Sequence, residues 1–489
     1  GLLQSFLTGY LPQSTALNGL QVAAPALLLF LALLLFPHGR LRGKSLRLRP
    51  VPVPTLRGTA VFAAAIIASG VVLATVLSQP DLITYGAIFS FGLIALSYVP
   101  LSGYAGQISL CQLSMAAIGA LVWAHLAPNG QWWALIVAVV VSAAAGAIVA
   151  VPALRLSGIY LALGTAAFAV ILDDWVFSIP AINIGGLHLT LFADGSISAV
   201  GPSVFGLQLT SERDVMILAA VFLGLATVGV ALLRRGRFGR RLIALRDSEA
   251  AYAMLGGNLL LAKVAVFALA AGIAGLGGAL YAMQQQSITS TQFTFEAGLA
   301  IFLIAVVGGV ASVGSGFFAG AVLIGPINAL VAVAAWATNP VSLFPGLAGM
   351  AFGRAPDGIV PLMRRDWAPV ARYKILVAAA VVISAALWVL RLAGVVNGWV
   401  LFWGVALVAV ALRAHAAART AETPTPTPTR SPTPTPTSTS ADDPTPTPGP
   451  TPTFGSGSAE DPVPIEWWGL SRPWRAEDEE VLDRAIARG

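Results

Sequence analysis

Long apolar segments, separated by short polar ones, follow one another along most of this chain. A helix needs about 20 largely apolar residues to cross a lipid bilayer. The segments of suitable length and composition are 20–36, 59–77, 82–100, 108–127, 131–150, 157–177, 215–233, 264–282, 297–311, 316–336, 340–353, 375–393 and 396–413. Two of them, 297–311 and 340–353, are short and are candidates for broken or re-entrant helices. Such helices occur only where protein or water covers the free backbone. The pattern predicts an all-α polytopic membrane protein.

The composition supports this fold class. Of the 489 residues, 57% are hydrophobic and only 10% are charged, whereas soluble domains carry about 25% charged residues. The net charge of +6 comes from basic residues clustered in a few loops, which indicates contact with membrane lipid and not with nucleic acid. One cysteine and four scattered histidines provide neither a disulfide framework nor metal-ligand spacing. We therefore expect no catalytic residue, no metal site and no cofactor.

The basic residues also predict the orientation of the helices. Six arginines lie between Arg234 and Arg246, and lysine and arginine accumulate in cytoplasmic loops. If the segments alternate in direction, residues 178–214 and 283–296 fall outside the cell. The other basic clusters then fall on the cytoplasmic side together with Arg234–Arg246. They are the loop from Arg40 to Arg57, Arg155, the cluster from Arg354 to Lys374, and the C-terminal tail.

The loop after Arg234 carries a short predicted helix. Residues Leu242–Met254 have a helix-forming composition and stop at Gly256-Gly257. The sequence Arg246-Asp-Ser-Glu-Ala-Ala resembles the cytoplasmic coupling loop of ABC importer permeases, specifically those of the branched-chain amino acid permease family. The resemblance implies that a separate ATPase docks on Arg246, Asp247, Glu249, Ala250, Ala251 and Gly256. The alternative is an ordinary cytoplasmic loop without a partner.

A polar segment interrupts two apolar runs at Leu101-Ser-Gly-Tyr-Ala-Gly-Gln-Ile-Ser-Leu-Cys111. Its two glycines allow a tight turn, and its polar side chains offer hydrogen bonds at a depth where few exist. The segment resembles the family's Gly-Tyr-x-Gly-Gln-x-Ser-Leu signature, although Cys111-Gln112 replaces the Gly-His pair that usually follows. The resemblance implies that a translocation pathway includes Gly103, Tyr104, Gly106, Gln107 and Ser109. The alternative is a simple glycine hinge.

The segment Tyr160-Leu-Ala-Leu-Gly-Thr-Ala-Ala-Phe also resembles the family, and Tyr160 and Thr165 are candidates for the pathway. Small residues for close helix packing are an equally good interpretation. Asp173 and Asp174 end the same helix on its outer side. This carboxylate pair could meet a substrate amine or a binding protein, or it could be only the hydrated end of a helix.

The resemblance centres on residues 59–362, which we expect to form a permease domain of about ten helices. Residues 1–50 contribute one preceding helix. Because Pro25–Gly43 ends in the same kind of Pro/Arg/Gly stop as residues 344–362, we expect residues 1–50 to be the C-terminal part of a preceding permease unit. The alternative is that any helix ending at the cytoplasmic face carries such a stop.

Three further parts follow the permease domain. Residues 375–413 are expected to form an extra transmembrane hairpin. Residues 421–462 are rich in threonine and proline and are expected to be a disordered linker. Residues 463–489 form a short C-terminal segment of unknown role.

The resemblance implies a function as well as a fold. It implies the multi-pass permease subunit of an ABC importer that moves branched-chain or related amino acids across the bacterial inner membrane. Its partners would be a second permease unit, two cytoplasmic ATPase subunits and an extracytoplasmic substrate-binding protein, so the chain itself would not be an enzyme. A urea or amide importer permease is the nearest alternative. A glycosyltransferase-like membrane enzyme using Asp173 and Asp174, or a secondary transporter, are alternatives of other classes.

Overall fold

The computed structural model describes residues 5–6, 9–10, 15–35, 53–333, 358–367, 370, 373–395, 403–405 and 407–415, with gaps at 154, 157, 180, 185–186, 193–194 and 205–206. The helices of the first half are α1 (Thr15–Leu35), α2 (Leu56–Val76), α3 (Gln79–Leu96), α4 (Gln112–Leu126), α5 (Trp133–Ala153) and α6 (Ile159–Ile171). Those that follow are α7 (Glu212–Arg235), α8 (Arg237–Asp247), α9 (Glu249–Met254), α10 (Leu259–Gln285), α11 (Phe295–Gly308), α12 (Ser315–Val333), α13 (Ile359–Trp367) and α14 (Lys374–Leu392).

The all-α polytopic fold predicted from the sequence is confirmed. Within the described residues, seven helices are long and apolar enough to cross a membrane: Leu56–Val76, Gln79–Tyr104, Trp133–Pro152, Ile159–Val176, Glu212–Arg235, Leu259–Gln285 and Ser290–Gly308. Each predicted segment from 59–77 to 316–336 coincides with a helix. The predicted segment 340–353 and the tail segments 421–462 and 463–489 lie outside the described residues.

Helix α3 is the central helix of the bundle. Every residue from Gly86 to Leu96 is buried, and α3 packs against α7, α10 and α12. The ring centroids of Phe91 and Tyr281 on α10 lie 4.9 Å apart. A helix that is apolar on all its faces can be buried in this way.

Glycines allow α4 and α10 to pack with their backbones in contact. A Cβ atom at Gly278 would overlap the carbonyl group of Ala116, and one at Gly119 would overlap the backbone of Gly275. Small residues at such interfaces are the usual means by which membrane helices approach closely. The two helices therefore form a tight pair beside α3.

One end of the bundle, here called the hairpin end, is covered by residues 178–214. Short strands pair there as β1 (Ala181–Ile184) with β2 (Leu187–Thr190), β3 (Ile197–Ser198) with β6 (Ser287–Ile288), and β4 (Ser203–Val204) with β5 (Leu207–Gln208), all antiparallel. The indole N–H of Trp123 donates to the Val200 carbonyl at 3.0 Å, and the Ala199 N–H donates to the Gln286 carbonyl at 2.8 Å. Residues 178–214 thus close over the loops that precede α5 and α11.

The opposite end, here called the coupling end, contains α8, α9 and the segment Leu101–Cys111. Helices α2 and α7 run antiparallel, since Gly70 on α2 contacts Ala220 on α7 while Gly224 contacts Ala63. The arginines that follow Leu233 lie at the coupling end, whereas residues 178–214 contain only Arg213. This separation agrees with the predicted alternation of the helices; which end faces the cytoplasm stays a prediction.

Two helices lie at the sides of the bundle. Helix α1 packs along α6, with the rings of Phe30 and Phe168 6.4 Å apart. Helix α14 packs on α2, where the indole N–H of Trp388 donates to the Thr75 hydroxyl at 3.2 Å. The assignment of residues 1–50 to a preceding permease unit, like the other domain boundaries, stays a prediction.

Candidate functional site

The elbow, residues Leu101–Cys111, turns the chain sharply between α3 and α4. It starts within the π-helical turn Val99–Tyr104 that continues α3. Gly106 has a φ of +67°, a conformation that favours glycine because it has no Cβ atom. The turn is closed by the Gln107 N–H, which donates to the Leu101 carbonyl at 3.0 Å. The sequence thus builds a compact, hydrogen-bonded bend and not an open loop.

Several polar groups of the elbow point into the protein. Gln107 and Ser109 are buried, and the Ser109 hydroxyl lies 3.3 Å from the Cys111 sulfur. The Tyr104 side chain is only 1% exposed, and its hydroxyl finds no hydrogen-bond partner among the residues that the structure describes. The elbow therefore offers polar atoms in an otherwise apolar interior.

Helices α8 and α9 form a bent pair, here called the coupling pair. The sequence predicted a single helix over Leu242–Met254, and these bounds are wrong. Helix α8 begins at Arg237, and the helical conformation is interrupted at Ser248, after which α9 begins. Ser248 is extended, and its hydroxyl accepts a hydrogen bond from the Ala251 N–H at 3.1 Å. A serine that caps a helix in this way starts a new helix in preference to continuing the old one. The predicted glycine stop is confirmed, with a φ of +81° at Gly256.

The coupling pair is fastened to the elbow by Arg246. Its guanidinium donates a hydrogen bond to the Gly103 carbonyl at 3.0 Å. A Cβ atom at Gly106 would lie 2.8 Å from the Arg246 Cγ, so the glycine lets the arginine lie directly on the bend. Burial lowers the pKa of Arg246, partly offset by the adjacent Asp247 carboxylate, yet an arginine remains charged in proteins. A fixed positive charge therefore holds the elbow to α8.

Glu249 makes the second link between these parts. Its Oε1 accepts a hydrogen bond from the Gln107 amide at 3.2 Å. The same oxygen lies 2.9 Å from the Nζ of Lys263 on α10, whose side chain is 3% exposed against 38% for Glu249. Two residues predicted for different roles, Gln107 for the pathway and Glu249 for docking, are thus in direct contact.

The six residues predicted for docking divide into two groups. Arg246 and Glu249 are half-buried and turn toward the bundle, whereas the exposed members are Asp247, Ala250, Ala251 and Gly256. The tip of α9 adds two residues that the sequence analysis missed, Met254 at 88% and Leu255 at 86% exposure. Two neighbouring large apolar residues directly before the Gly256-Gly257 stop were the available signal.

Thr165 reaches the elbow from α6. Its hydroxyl oxygen accepts a hydrogen bond from the Leu110 N–H at 3.0 Å and donates to the Ala162 carbonyl at 3.0 Å. Tyr160 lies on the same helix and is half-buried. The structure therefore brings Thr165 to the predicted site.

Asp173 at the hairpin end has a backbone partner on a neighbouring helix. Asp173 accepts a hydrogen bond from the Phe295 N–H at 3.1 Å, which is the first residue of α11. A carboxylate in this position satisfies a free N–H and interacts favourably with the helix dipole. Asp173 thus has a structural partner far from the elbow. Among the described residues, no group of three or more histidine, cysteine or acidic side chains is placed to hold a metal ion.

Comparison with known proteins gives a family for this arrangement. Residues 82–353 match the model of the family described as branched-chain amino acid transport system / permease component. The chain is 30% identical over 229 residues to the high-affinity branched-chain amino acid transport system permease protein LivM of Escherichia coli strain K12. It is equally similar to the protein of the same name from Salmonella typhimurium strain LT2.

The similarity to these relatives is partial in length. It covers 43% of this chain and 54% of each relative, so the chain spans about half the length of the curated relatives it matches. No solved structure matches the chain. The family model itself covers the elbow, the coupling pair and most of the helices around them. The chain is a multi-pass membrane protein that belongs to the family of branched-chain amino acid transport system permease components.

Proposed function

We propose that this chain is the transmembrane subunit of an ABC importer that carries branched-chain or related amino acids across the bacterial inner membrane. Its partners in this proposal are a second permease unit, two cytoplasmic ATPase subunits and an extracytoplasmic binding protein. The family match and the two LivM relatives support the substrate class. The coupling pair supports the dependence on a separate ATPase.

The observation that carries the proposal is the two-sided construction of the coupling pair. One side is tied to the elbow through Arg246 and Glu249. The other side leaves Met254 and Leu255 exposed at the coupling end. Neighbouring large apolar side chains that the chain leaves exposed are typical of a surface that a partner covers. The pair is built to receive a contact on one side and pass its displacement to the bundle on the other.

The mechanism follows from these connections. An ATPase that changes shape shifts α9, and the shift reaches the elbow through Glu249 and Arg246. The elbow joins α3 to α4, so its displacement changes the angle between two helices of the core. Transport requires that the ATPase contacts differ in free energy between the outward-open and inward-open states. In this scheme Tyr104, Gln107 and Ser109 supply polar contacts along the moving pathway.

The docking half of the proposal is tested by changing the tip of α9. Each large apolar side chain that an interface buries contributes about 1.5–3 kcal/mol, so Met254→Asp with Leu255→Asp is expected to weaken ATPase association at least about ten-fold. The readout is the amount of ATPase that co-purifies with the full chain from its native membrane. The control is Val200→Asp, which places one such negative charge on an exposed apolar residue of the hairpin end.

Substrate choice is tested with the assembled complex. ATP-dependent uptake of labelled leucine, competed by isoleucine and valine but not by urea, supports the proposal. Uptake competed by urea or short amides would support the nearest alternative importer. Equal ATPase recovery with the α9 variant and the control would contradict the assigned docking surface.

A further inference from the structure

Lys263 is a buried cation that the proposed function does not yet use. It lies near the start of α10, its side chain is 3% exposed, and its Nζ is 2.9 Å from Glu249 Oε1. We propose that Lys263 is a positioning residue, which with Glu249 and Gln107 forms a clasp that makes α9, the start of α10 and the elbow move as one body. This inference rests on the proposed function, because it assigns the route by which ATPase motion reaches the helices.

The burial of Lys263 explains why the clasp is firm. An ammonium group taken out of water is unfavourable unless an opposite charge and hydrogen bonds compensate it. Glu249 supplies that charge. If Glu249 swung outward to meet a partner, it would leave Lys263 buried and uncompensated, so Glu249 is held facing inward.

The clasp gathers three segments at one atom. Glu249 Oε1 receives both the Gln107 amide at 3.2 Å and the Lys263 ammonium at 2.9 Å. Gln107 belongs to the elbow, Glu249 begins α9, and Lys263 belongs to α10. The bond from Arg246 to the Gly103 carbonyl adds a second attachment to the elbow. Two attachments on adjacent helices oppose both sliding and rotation of the coupling pair against the elbow.

This arrangement separates two duties within the coupling loop. The exposed tip with Met254 and Leu255 meets the partner, whereas the half-buried Glu249 and the buried Lys263 carry the displacement inward. Loss of the tip should therefore weaken binding of the ATPase. Loss of the clasp should leave ATPase binding intact but uncouple ATP hydrolysis from transport.

The test is the double variant Lys263→Met with Glu249→Gln in the complete transporter. Both charges are removed together and the side-chain volumes are kept, because replacing a buried ion pair by neutral groups of similar shape is often tolerated, whereas removing one partner is not. We expect ATPase co-purification and the thermal midpoint in detergent to stay at wild-type values. The number of leucine molecules transported per ATP hydrolysed should fall about ten-fold.

The matched control is Asp366→Asn. Asp366 forms an ion pair with Arg413 whose closest atoms are 2.6 Å apart, but both side chains are about half exposed. Exposed pairs contribute little, so this variant should transport as many molecules per ATP as the wild type. A wild-type ratio in the double variant as well would overturn the clasp. If the wild-type chain neither co-purified with an ATPase nor supported leucine uptake, the proposed function on which the clasp rests would be overturned instead.

A second measurement covers the case in which the double variant does not accumulate. Spin labels are attached in the otherwise unaltered chain at Ala253→Cys and Leu261→Cys, two exposed positions on α9 and α10. The native Cys111 is buried and does not compete for label. We expect the same label-to-label distance with and without bound ATP, because the clasp keeps the two helices together. A shift of several ångströms between nucleotide states would overturn the clasp.

Discussion

The Arg246 guanidinium donates to the Gly103 carbonyl at 3.0 Å, joining residues 143 apart in the sequence. The bond links α8 to the elbow, the bend that follows α3, and α3 is the central helix of the bundle. A carbonyl that accepts from a charged donor gains more than one that accepts from a neutral donor. The bend and the coupling pair are thus one structural unit, and variants that disturb their contact test the mechanism.

Gly106 is the residue on which this contact depends. In Gly106→Ala, a side chain at a φ of +67° is strained by about 1–2 kcal/mol, and the new Cβ atom would lie 2.8 Å from Arg246 Cγ. We expect a loss of unfolding free energy in mixed micelles larger than the strain alone, because Arg246 must also move. Gly256→Ala is the control, with a φ of +81° and no atom within 4 Å of the new Cβ. Equal losses in the two variants would contradict the close packing of Arg246 on the bend.

Thr165 is expected to stabilise the elbow from α6. Thr165→Val removes the acceptor of the Leu110 N–H, and a buried N–H left without a partner costs about 1–3 kcal/mol. Thr227→Val is the matched control, because that buried hydroxyl donates only to the Leu223 carbonyl of its own helix at 2.7 Å. Its loss should cost less than about 1 kcal/mol. The free energies of unfolding of the two variants decide the matter, and a cost for Thr165→Val no greater than the control would count against the tether.

Asp173 is expected to act as a helix cap. In Asp173→Ala the Phe295 N–H loses its acceptor, and the loss of a capping side chain costs about 1 kcal/mol. Asp173→Asn keeps an acceptor oxygen and should retain both stability and leucine uptake. Uptake abolished in Asp173→Asn, with stability unchanged, would show that the negative charge itself serves recognition of a substrate amine or of a binding protein.

The contact between α4 and α10 should not accept a side chain at Gly278. A Cβ atom there would overlap the Ala116 carbonyl, so Gly278→Ala must push the helices apart, which costs at least about 1–3 kcal/mol. Gly272→Ala on the same helix meets its nearest atom at 3.4 Å, an ordinary contact, and alanine favours helix by about 1 kcal/mol over glycine. Thermal midpoints in detergent should fall for the first and hold or rise for the second. The reverse order would contradict this helix pairing.

Apolar segment length was sufficient to predict the membrane helices, because a spanning helix must satisfy its backbone internally over the bilayer thickness. The elbow could also be located, since glycines and polar residues between two apolar runs require a bend. The break at Ser248 could not, because the residues on both sides of it favour helix. Serine there caps a second helix through its own side chain, a local effect that overrides composition.

Contacts between distant segments could not be predicted from the sequence, for a different reason. Lys263 lies immediately before the predicted segment 264–282 and would pass for an ordinary flanking lysine. Its burial depends on how the chain turns between α9 and α10 and brings Glu249 back onto α10. The bond from Leu110 to Thr165 likewise depends on the packing of α6 beside the elbow. Periodicity and motifs describe single segments, so they do not reveal which segments meet.

The central claim is that a separate ATPase drives transport through the coupling pair, and it is tested most directly by uptake into proteoliposomes. The full chain would be purified with its partners from its native membrane and reconstituted with the native binding protein, and labelled leucine uptake measured with and without ATP on the ATPase side. We predict uptake that requires ATP and is lost in the variant carrying Met254→Asp and Leu255→Asp. Leucine uptake that proceeds equally well without ATP, or that survives complete loss of the ATPase subunits, would contradict the account.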